Sequence, residues 1–508
     1  MSNLKKQIEI LDTTLRDGEQ TSGVSFASDE KLHIALLLLE DLKVDRVEIA
    51  SAKVSEGEFA TVRKISKWAR ANGHIDKIEV LGFVDGTVSL DWVHDAGCQV
   101  MNVLCKGSLK HCREQLHKTQ EQHLADILQV VENAEKQGIA INIYLEDWSN
   151  GMLNSPEYVF YLIDNLKDTN IKRFMLPDTL GILNPISTGE FCRQILAKYP
   201  RLHFDYHAHN DYDLAIGNTF AAVHAGIQGI HTTVNGLGER AGNAPLASVV
   251  AMLHDQLKLK THIAEDRLNT VSRTVASYAG MRIPQNKPVI GDNVFTQCAG
   301  IHADGDNKNN LYYNDLLPER FGRSRKYALG KMSGKANIKK NLEAMGMEVD
   351  EAVMKKIVER VIELGDKKEI ITQEDLPYII SDILHAEKIE KIHLVNYSLS
   401  LTHGLRPTAT VRITIGGEEY EQSAAGDGQY HAFSKALWKI YTQLDKPKPK
   451  LLDYSVNITS GGRTDALVHT TIKWEFSNKS FKTSGLDIDQ TVAAIKATFK
   501  MLNIIEEM

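Results

Sequence analysis

Two histidines and one aspartate carry the first chemical signal in this chain. His207 and His209 are spaced i, i+2 within the apolar-rich run 202–210. On a strand that spacing sends both imidazoles to one face, as two ligands of a single metal ion require. Asp17 follows the first β-branched run, 8–13. A carboxylate and two imidazoles leave about three positions open on an octahedral ion, and Mg2+, Mn2+ or Zn2+ each suits that ligand set. The three residues act together only if the fold brings the ends of two distant runs to one rim.

The surrounding pattern supplies such a fold. Between residue 8 and about residue 260, strand-like runs at 8–13, 46–51, 78–84, 100–106, 141–147, 173–179, 202–210 and 230–235 alternate with helical patterns. One such helix has Leu32, Leu36 and Leu39 on a face, Ser28 as its expected N-cap, and Asp29 and Glu30 in its first turn. Eight βα units predict an α/β fold of the closed (β/α)8 TIM-barrel type over residues 1–260. Chemistry in such a barrel gathers where strands end. That rule places Asp17, His207 and His209 at one mouth and adds the strand-end residues Leu81, Leu104, Tyr144, Glu146 and Thr179.

Residues 261–388 read as a linker of small helical subdomains, with helices over 339–345, 352–364 and 376–384 and a polar, loop-rich stretch over 291–335. Residues 389–508 read as a separate α+β domain of two repeats. Leu394-Val395-Asn396-Tyr397-Ser398 is echoed by Leu451-Leu452-Asp453-Tyr454-Ser455, and each copy continues through strands at 408–415 and 419–423, or 466–474 and 479–483. A Gly-Asp segment and a helix (430–441; 490–502) follow in each, with the turn-forming Lys446-Pro447-Lys448-Pro449-Lys450 between the copies.

Composition narrows the function classes. With Lys+Arg 59 against Asp+Glu 66, the net charge of −7 argues against the phosphate electrostatics of a nucleic-acid binder. The longest apolar run, Ile34 to Leu39, falls far short of the roughly 20 residues that span a bilayer, and the first ten residues lack the apolar core of a signal peptide. A cytoplasmic protein is expected. Cys98, Cys105, Cys112, Cys192 and Cys298 form no CxxC pair and are expected to be reduced and structural.

Three segments carry a family resemblance. Segment 11–20, Leu-Asp-Thr-Thr-Leu-Arg-Asp-Gly-Glu-Gln, segment 207–218, which opens His-Ala-His-Asn-Asp, and segment 235–243, Asn-Gly-Leu-Gly-Glu-Arg-Ala-Gly-Asn, resemble the motifs of the 2-isopropylmalate, homocitrate and citramalate synthases. The resemblance spans nearly the whole chain, and within the family it is greatest to the members that join acetyl-CoA to pyruvate. It implies a metal held by Asp17, His207 and His209, with Asn243 as a further ligand. It also implies acetyl-CoA as co-substrate, a homodimer that completes the site, and a C-terminal inhibitor domain, for which a pyruvate-using member implies isoleucine.

Roles follow for particular residues. A divalent ion at the cluster is a Lewis acid toward a ketoacid carbonyl, and Arg16, beside Asp17, would stabilise the oxyanion that develops unless it serves as a rim salt bridge. Thr179 would hydrogen-bond the ketoacid carboxylate or cap the next helix. The resemblance makes Glu146 and His302 acid/base residues, with Asp304 orienting His302 and Tyr312 lying near the thioester. Leu81, Leu104 and Tyr144 would close an apolar pocket over pyruvate's methyl, or else pack as barrel core. Arg320, Arg323, Arg325, Lys326, Lys331 and Lys335 form a basic cluster for the anionic CoA, or a solvated face. Tyr430, Leu451, Tyr454, Thr464 and Val468 would line the inhibitor pocket. Competing readings are a member that uses 2-oxoisovalerate, a metal-dependent aldolase or lyase on the same barrel, and a silent amino-acid sensor, which would require lost ligands.

Overall fold

The computed structural model describes residues 7–366, 371, 373–384, 391–458, 468–477 and 479–506. Its first compact unit comprises the chain through Phe295 together with Tyr313–Arg325. Eight parallel strands, β1 (Glu9–Asp12), β2 (Arg46–Ser51), β3 (Ile78–Phe83), β4 (Val100–Lys106), β5 (Ala140–Glu146), β6 (Arg173–Asp178), β7 (Phe204–Ala208) and β8 (Gly229–Thr232), pair in sequence order and close between β8 and β1. The expected (β/α)8 barrel is present, and the helix Leu268–Tyr278 carries its unit past residue 260. Ser28 is the first residue of its helix rather than the N-cap: Ala27 occupies that position, and Glu30 Oε2 accepts the Ala27 N–H at 2.8 Å.

Strand alternation divides this unit into two apolar layers. Residues such as Ile10, Val47, Ile49, Val80, Val103 and Ile143 face outward into the main core beneath the helices. The inward positions are mostly polar, and Leu11, Leu81, Tyr144 and Met175, with Leu104 against them, form a small apolar cluster apart from that core. A cavity of about 680 Å³ at the N-terminal end of the strands is lined by Glu9, Arg46, Glu79 and Arg173. These side chains are paired with one another or with Asp205, which is a structural use of the barrel floor.

The second unit comprises Thr296–Tyr312 and Lys326–Met508. The stretch expected to be loop-rich contains the helix Gly300–Asn307 and a parallel pair of short strands, β9 (Thr296–Gln297) and β10 (Lys326–Tyr327). Helices Lys335–Ala344, Glu351–Asp366 and Leu376–Leu384 share a core of Ile338, Leu342, Ile357, Val361 and Leu376. The repeat appears as two antiparallel sheets, β11 (Ile392–Ser400), β12 (Thr408–Ile415) and β13 (Glu418–Ala425), then β14 (Lys450–Ile458), β15 (Val468–Phe476) and β16 (Lys479–Asp487).

Helices Gln429–Gln443 and Gln490–Ile505 complete the copies over one shared core. Each first strand bulges at the equivalent place, between Leu394 and Asn396 or Leu451 and Asp453, where Asn396 and Asp453 accept the next backbone N–H. Gly485 lies within β16 rather than in a turn. A Cβ there would come within 2.0 Å of Ala493 O, so glycine permits the close strand–helix approach.

Candidate active site

Asp17 reaches the barrel mouth through a tight turn in which the N–H groups of Arg16, Asp17 and Gly18 all donate to Thr13 O. His207 projects inward from β7, and His209 lies one step beyond it in a backbone bridge to Asn243. Barrel closure sets His207 Nε2 at 3.2 Å and His209 Nε2 at 3.8 Å from Asp17 Oδ2. One ligand atom from each residue lies within 4.8 Å of the others, and all three residues are buried.

This set fits a divalent cation. Apart from those imidazole nitrogens and the Arg16 guanidinium at 3.4 Å, neither Asp17 oxygen has a partner among the described residues, which leaves a buried, ionised carboxylate with lone pairs open to a cation. Burial opposes ionisation of Asp17, but the Arg16 charge and the His207 hydrogen bond override it and hold the carboxyl well below its usual range. Burial pushes the His207 imidazole down against the pull of Asp17, and burial together with His207 lowers His209 to about 4. Neutral imidazoles and an ionised carboxylate are the ligating forms. Asn243 donates its amide N–H to Leu237 O at 3.1 Å, which leaves its buried Oδ1 without a partner among the described residues. That oxygen is an open lone-pair donor on the residue bridged to His209.

Arg16 is held by a residue that sequence reasoning missed. Its Nε donates to Glu48 Oε2 at 2.6 Å, and Glu48 also accepts Thr13 Oγ1 at 2.7 Å and Asn102 Nδ2 at 2.8 Å. The guanidinium lies 3.4 Å from Asp17 and donates to Tyr144 Oη at 3.3 Å. The salt bridge is therefore the means by which Arg16 is aimed at the cluster. Leu81, Leu104 and Tyr144 meet in the small apolar cluster beside this network. Glu146, at the end of β5, is paired with Lys106 directly across the β4–β5 register. Lys106 was also missed, although the i, i+2 series Asn102, Leu104, Lys106 marks it as inward-facing.

Thr179 does not cap a helix. Its hydroxyl accepts the Asp147 N–H at 2.9 Å, supporting a left-handed residue at φ 64°, while Asn184 caps the following helix. Arg240 braces the neighbouring loop through Asp211 and through Thr179 O at 2.7 Å.

His302, Asp304 and Tyr312 belong to the second unit. The His302 and Tyr312 rings lie 4.3 Å apart, centroid to centroid. Asp304 does not orient the imidazole as expected: it pairs with Lys308 one helical turn away, and His302 Nδ1 meets Gln297 Oε1 at 3.1 Å instead.

The expected basic cluster is largely engaged within the protein. In the first unit, Arg320 binds Asp255 and Glu265, Arg323 donates to the carbonyls of Val289, Gly291 and Asp292, and Arg325 stacks on Tyr313 at 3.9 Å. In the second, Lys331 pairs with Asp366 and Lys335 with Glu351, and Lys326 is exposed on β10. A different cationic cleft, of about 260 Å³, lies beside the loop 235–243 and is lined by Arg282 and Lys287 with Leu237, Met281 and Ile283. Neither cation has a carboxylate in ion-pair contact among the described residues, and burial lowers Lys287 despite the pull of Asp213.

In the C-terminal repeat, the Tyr430 and Tyr454 rings lie 5.5 Å apart, tilted at 38°, and Tyr430 Oη meets Thr498 Oγ1 at 2.7 Å. Leu451 is exposed and Val468 is buried. Thr464 lies outside the described residues.

The fold and the buried Asp–His–His cluster define a metal-site barrel of the HMGL-like class, and the HMGL-like family model matches residues 7–275. The models named homocitrate synthase post-HMGL domain-like and LeuA allosteric (dimerisation) domain match residues 289–369 and 370–506. The (R)-citramalate synthase of Methanocaldococcus jannaschii is 33% identical over 98% of this chain and 99% of its own length. The 2-isopropylmalate synthase of the same organism is 32% identical over 99% of this chain and 95% of its own. The chain belongs to the family of citramalate, 2-isopropylmalate and homocitrate synthases, metal-dependent enzymes of Claisen-type acyl-CoA chemistry. Identities this close to two members that differ in ketoacid leave that choice to the pocket.

Proposed function

We propose that the protein condenses acetyl-CoA with pyruvate and hydrolyses the thioester, giving (R)-citramalate and CoA, as a cytoplasmic homodimer inhibited by isoleucine at its C-terminal repeat. The observation that carries this reading is the apolar cluster of Leu11, Leu81, Leu104, Tyr144 and Met175 beside the Arg16–Asp17 turn. It offers an apolar wall to the ketoacid's carbon 3, and the neighbouring cations Arg16 and Lys106 are already paired with Glu48 and Glu146 rather than open to a distal carboxylate.

Asp17, His207, His209 and the Asn243 carbonyl would hold the divalent ion, Mn2+, Mg2+ or Zn2+. When bound, it supplies Lewis acidity toward the ketoacid oxygens. In the reaction a base removes one methyl proton from acetyl-CoA, the methyl carbon bonds to the ketone carbon, and the ketone oxygen takes the negative charge. Arg16, fixed by Glu48, donates to that oxygen as the charge grows, a preorganised arrangement that needs no reorientation. Thr179 presents its hydroxyl to the ketoacid carboxylate. Glu146, held by Lys106, and His302 are the two acid/base residues: they take the methyl proton, return a proton to the alkoxide, and activate the water whose oxygen bonds to the thioester carbon while its proton leaves with CoA as the free thiol. Arg282 and Lys287 receive the phosphates of CoA.

The test is free-thiol release from acetyl-CoA with pyruvate, 2-oxoisovalerate, 2-oxobutyrate or 2-oxoglutarate offered separately, with and without Mn2+. Mn2+-dependent release with pyruvate well above the others is expected. Preference for 2-oxoisovalerate would overturn the pocket argument and favour a 2-isopropylmalate synthase, and no release with any ketoacid would overturn the reading.

A further inference from the structure

Behind the ketoacid wall a buried polar chain descends through the barrel. Tyr144 Oη lies 2.9 Å from His231 Nδ1, and His231 Nε2 lies 3.1 Å from Asp205 Oδ2. Asp205 is itself gripped by Arg46 at 2.6 Å and by His203 at 2.9 Å. Tyr144, His231 and Asp205 are all buried. None of this chain below Tyr144 is used by the chemistry described above.

The hydrogen-bond inventory fixes the direction of each link. Asp205, ionised beside the buried Arg46 guanidinium, can only accept, so His231 Nε2 carries a proton and donates. Arg16 Nη2 can only donate, so the Tyr144 oxygen accepts from it at 3.3 Å. The Tyr144 O–H then needs an acceptor. Among the described residues the one that fits is His231 Nδ1, which is therefore the unprotonated nitrogen of a neutral ring. Each proton points down the chain, away from the barrel mouth.

We propose that His231, oriented by Asp205, is a specificity-determining positioning residue: by accepting the Tyr144 hydroxyl proton it turns a tyrosine into an apolar wall. With its O–H directed into the barrel, Tyr144 offers the ketoacid its ring alone. This explains how a polar side chain can sit in the cluster of Leu11, Leu81 and Met175 without providing a donor for a polar substituent at the ketoacid's carbon 3. The same link steadies the oxygen that receives Arg16.

The inference rests on the ketoacid reading above, and its test separates the two. The probe is the ratio of kcat/KM for 3-hydroxypyruvate to that for pyruvate, measured on the Mn2+-loaded full-length protein. His231→Phe keeps a ring of similar size but removes the acceptor, freeing the Tyr144 O–H. The ratio is expected to rise by about tenfold, roughly the effect of one net hydrogen bond, and to return to the wild-type value in the Tyr144→Phe/His231→Phe double variant. His231→Asn, which retains a short acceptor, should restore most of the wild-type ratio. Tyr144→Phe alone, a conservative change expected to fold, should leave the ratio within about twofold, since the hydroxyl is already turned away; this arm decides the matter even if the His231 variants do not fold. A ratio that falls by about tenfold in Tyr144→Phe, or that is unmoved in folded His231→Phe, would overturn the inference. Wild-type protein inactive with every ketoacid would instead overturn the functional reading.

Discussion

The anchor of Arg16 gives a prediction that can be worked from the structure. Glu48 is fully buried and accepts three hydrogen bonds, from Arg16 Nε, Thr13 Oγ1 and Asn102 Nδ2. Glu48→Gln keeps the shape and removes the charge. The new amide must aim its NH2 at one of those donors. Asn102 can flip to meet it, because Asn142, which donates to Asn102 Oδ1, has its own buried Oδ1 free of a partner among the described residues and can flip in turn.

The hydrogen-bond mismatch can therefore relax, while the electrostatic loss cannot. A unit-charge pair at about 4 Å and an effective dielectric constant of 20 is worth about 4 kcal/mol. Asp17, at 3.4 Å from Arg16, recovers part of this, so a loss of about 2–3 kcal/mol in unfolding free energy is expected, in line with one charge-assisted hydrogen bond. The released guanidinium moves toward Asp17 and away from the reacting oxygen, and kcat should fall by about 10²-fold, as for the loss of an oxyanion donor, with the pyruvate KM changed by only a few-fold. Urea unfolding and steady-state thiol release measure both quantities. Stability within about 0.5 kcal/mol and kcat within about threefold of wild type would refute the claim that Glu48 aims Arg16.

Asp17→Ala should abolish turnover and Mn2+ binding measured by calorimetry, and full activity in a metal-free preparation of this variant would end the mechanism. Leu81→Ala, by contrast, should keep Mn2+ affinity and lower the preference for pyruvate over 2-oxobutyrate by about tenfold, within the range a methylene is worth in an apolar pocket. His123, buried against Tyr158 at 2.6 Å, has its imidazole lowered by burial to about 4. Because its folded pKa is depressed, its contribution is fully present above about pH 6.5 and is lost as pH falls toward 4, by at most about 3 kcal/mol. Thermal unfolding between pH 7 and pH 4 should show a shallower loss of Tm in His123→Gln than in wild type, and identical slopes would count against the assignment.

Much of this protein is legible locally. Hydrophobic alternation and helical spacing are short-range properties, so the eight βα units, the i, i+2 pair His207 and His209, the Arg16–Asp17 step and the two-copy C-terminal pattern can all be read from neighbouring residues. Inward-facing strand ends follow from the same period of two, which is why the sequence alone groups Leu81, Leu104 and Tyr144. What tertiary structure alone decided is which partner each polar group meets. Glu48, Lys106 and His231 act on Arg16, Glu146 and Tyr144 from other strands, and no local pattern encodes a pairing across a closed sheet. The same cause undid the expected basic cluster: a run of arginines and lysines looks free in sequence, but Arg320 finds Asp255 and Glu265 only when helices far apart along the chain are packed together. A residue's chemical type and the side of its element are set by its neighbours in the chain. Its charge environment is set by its neighbours in space, because electrostatic and hydrogen-bond energies depend on distance and solvent exclusion, which only the folded barrel fixes.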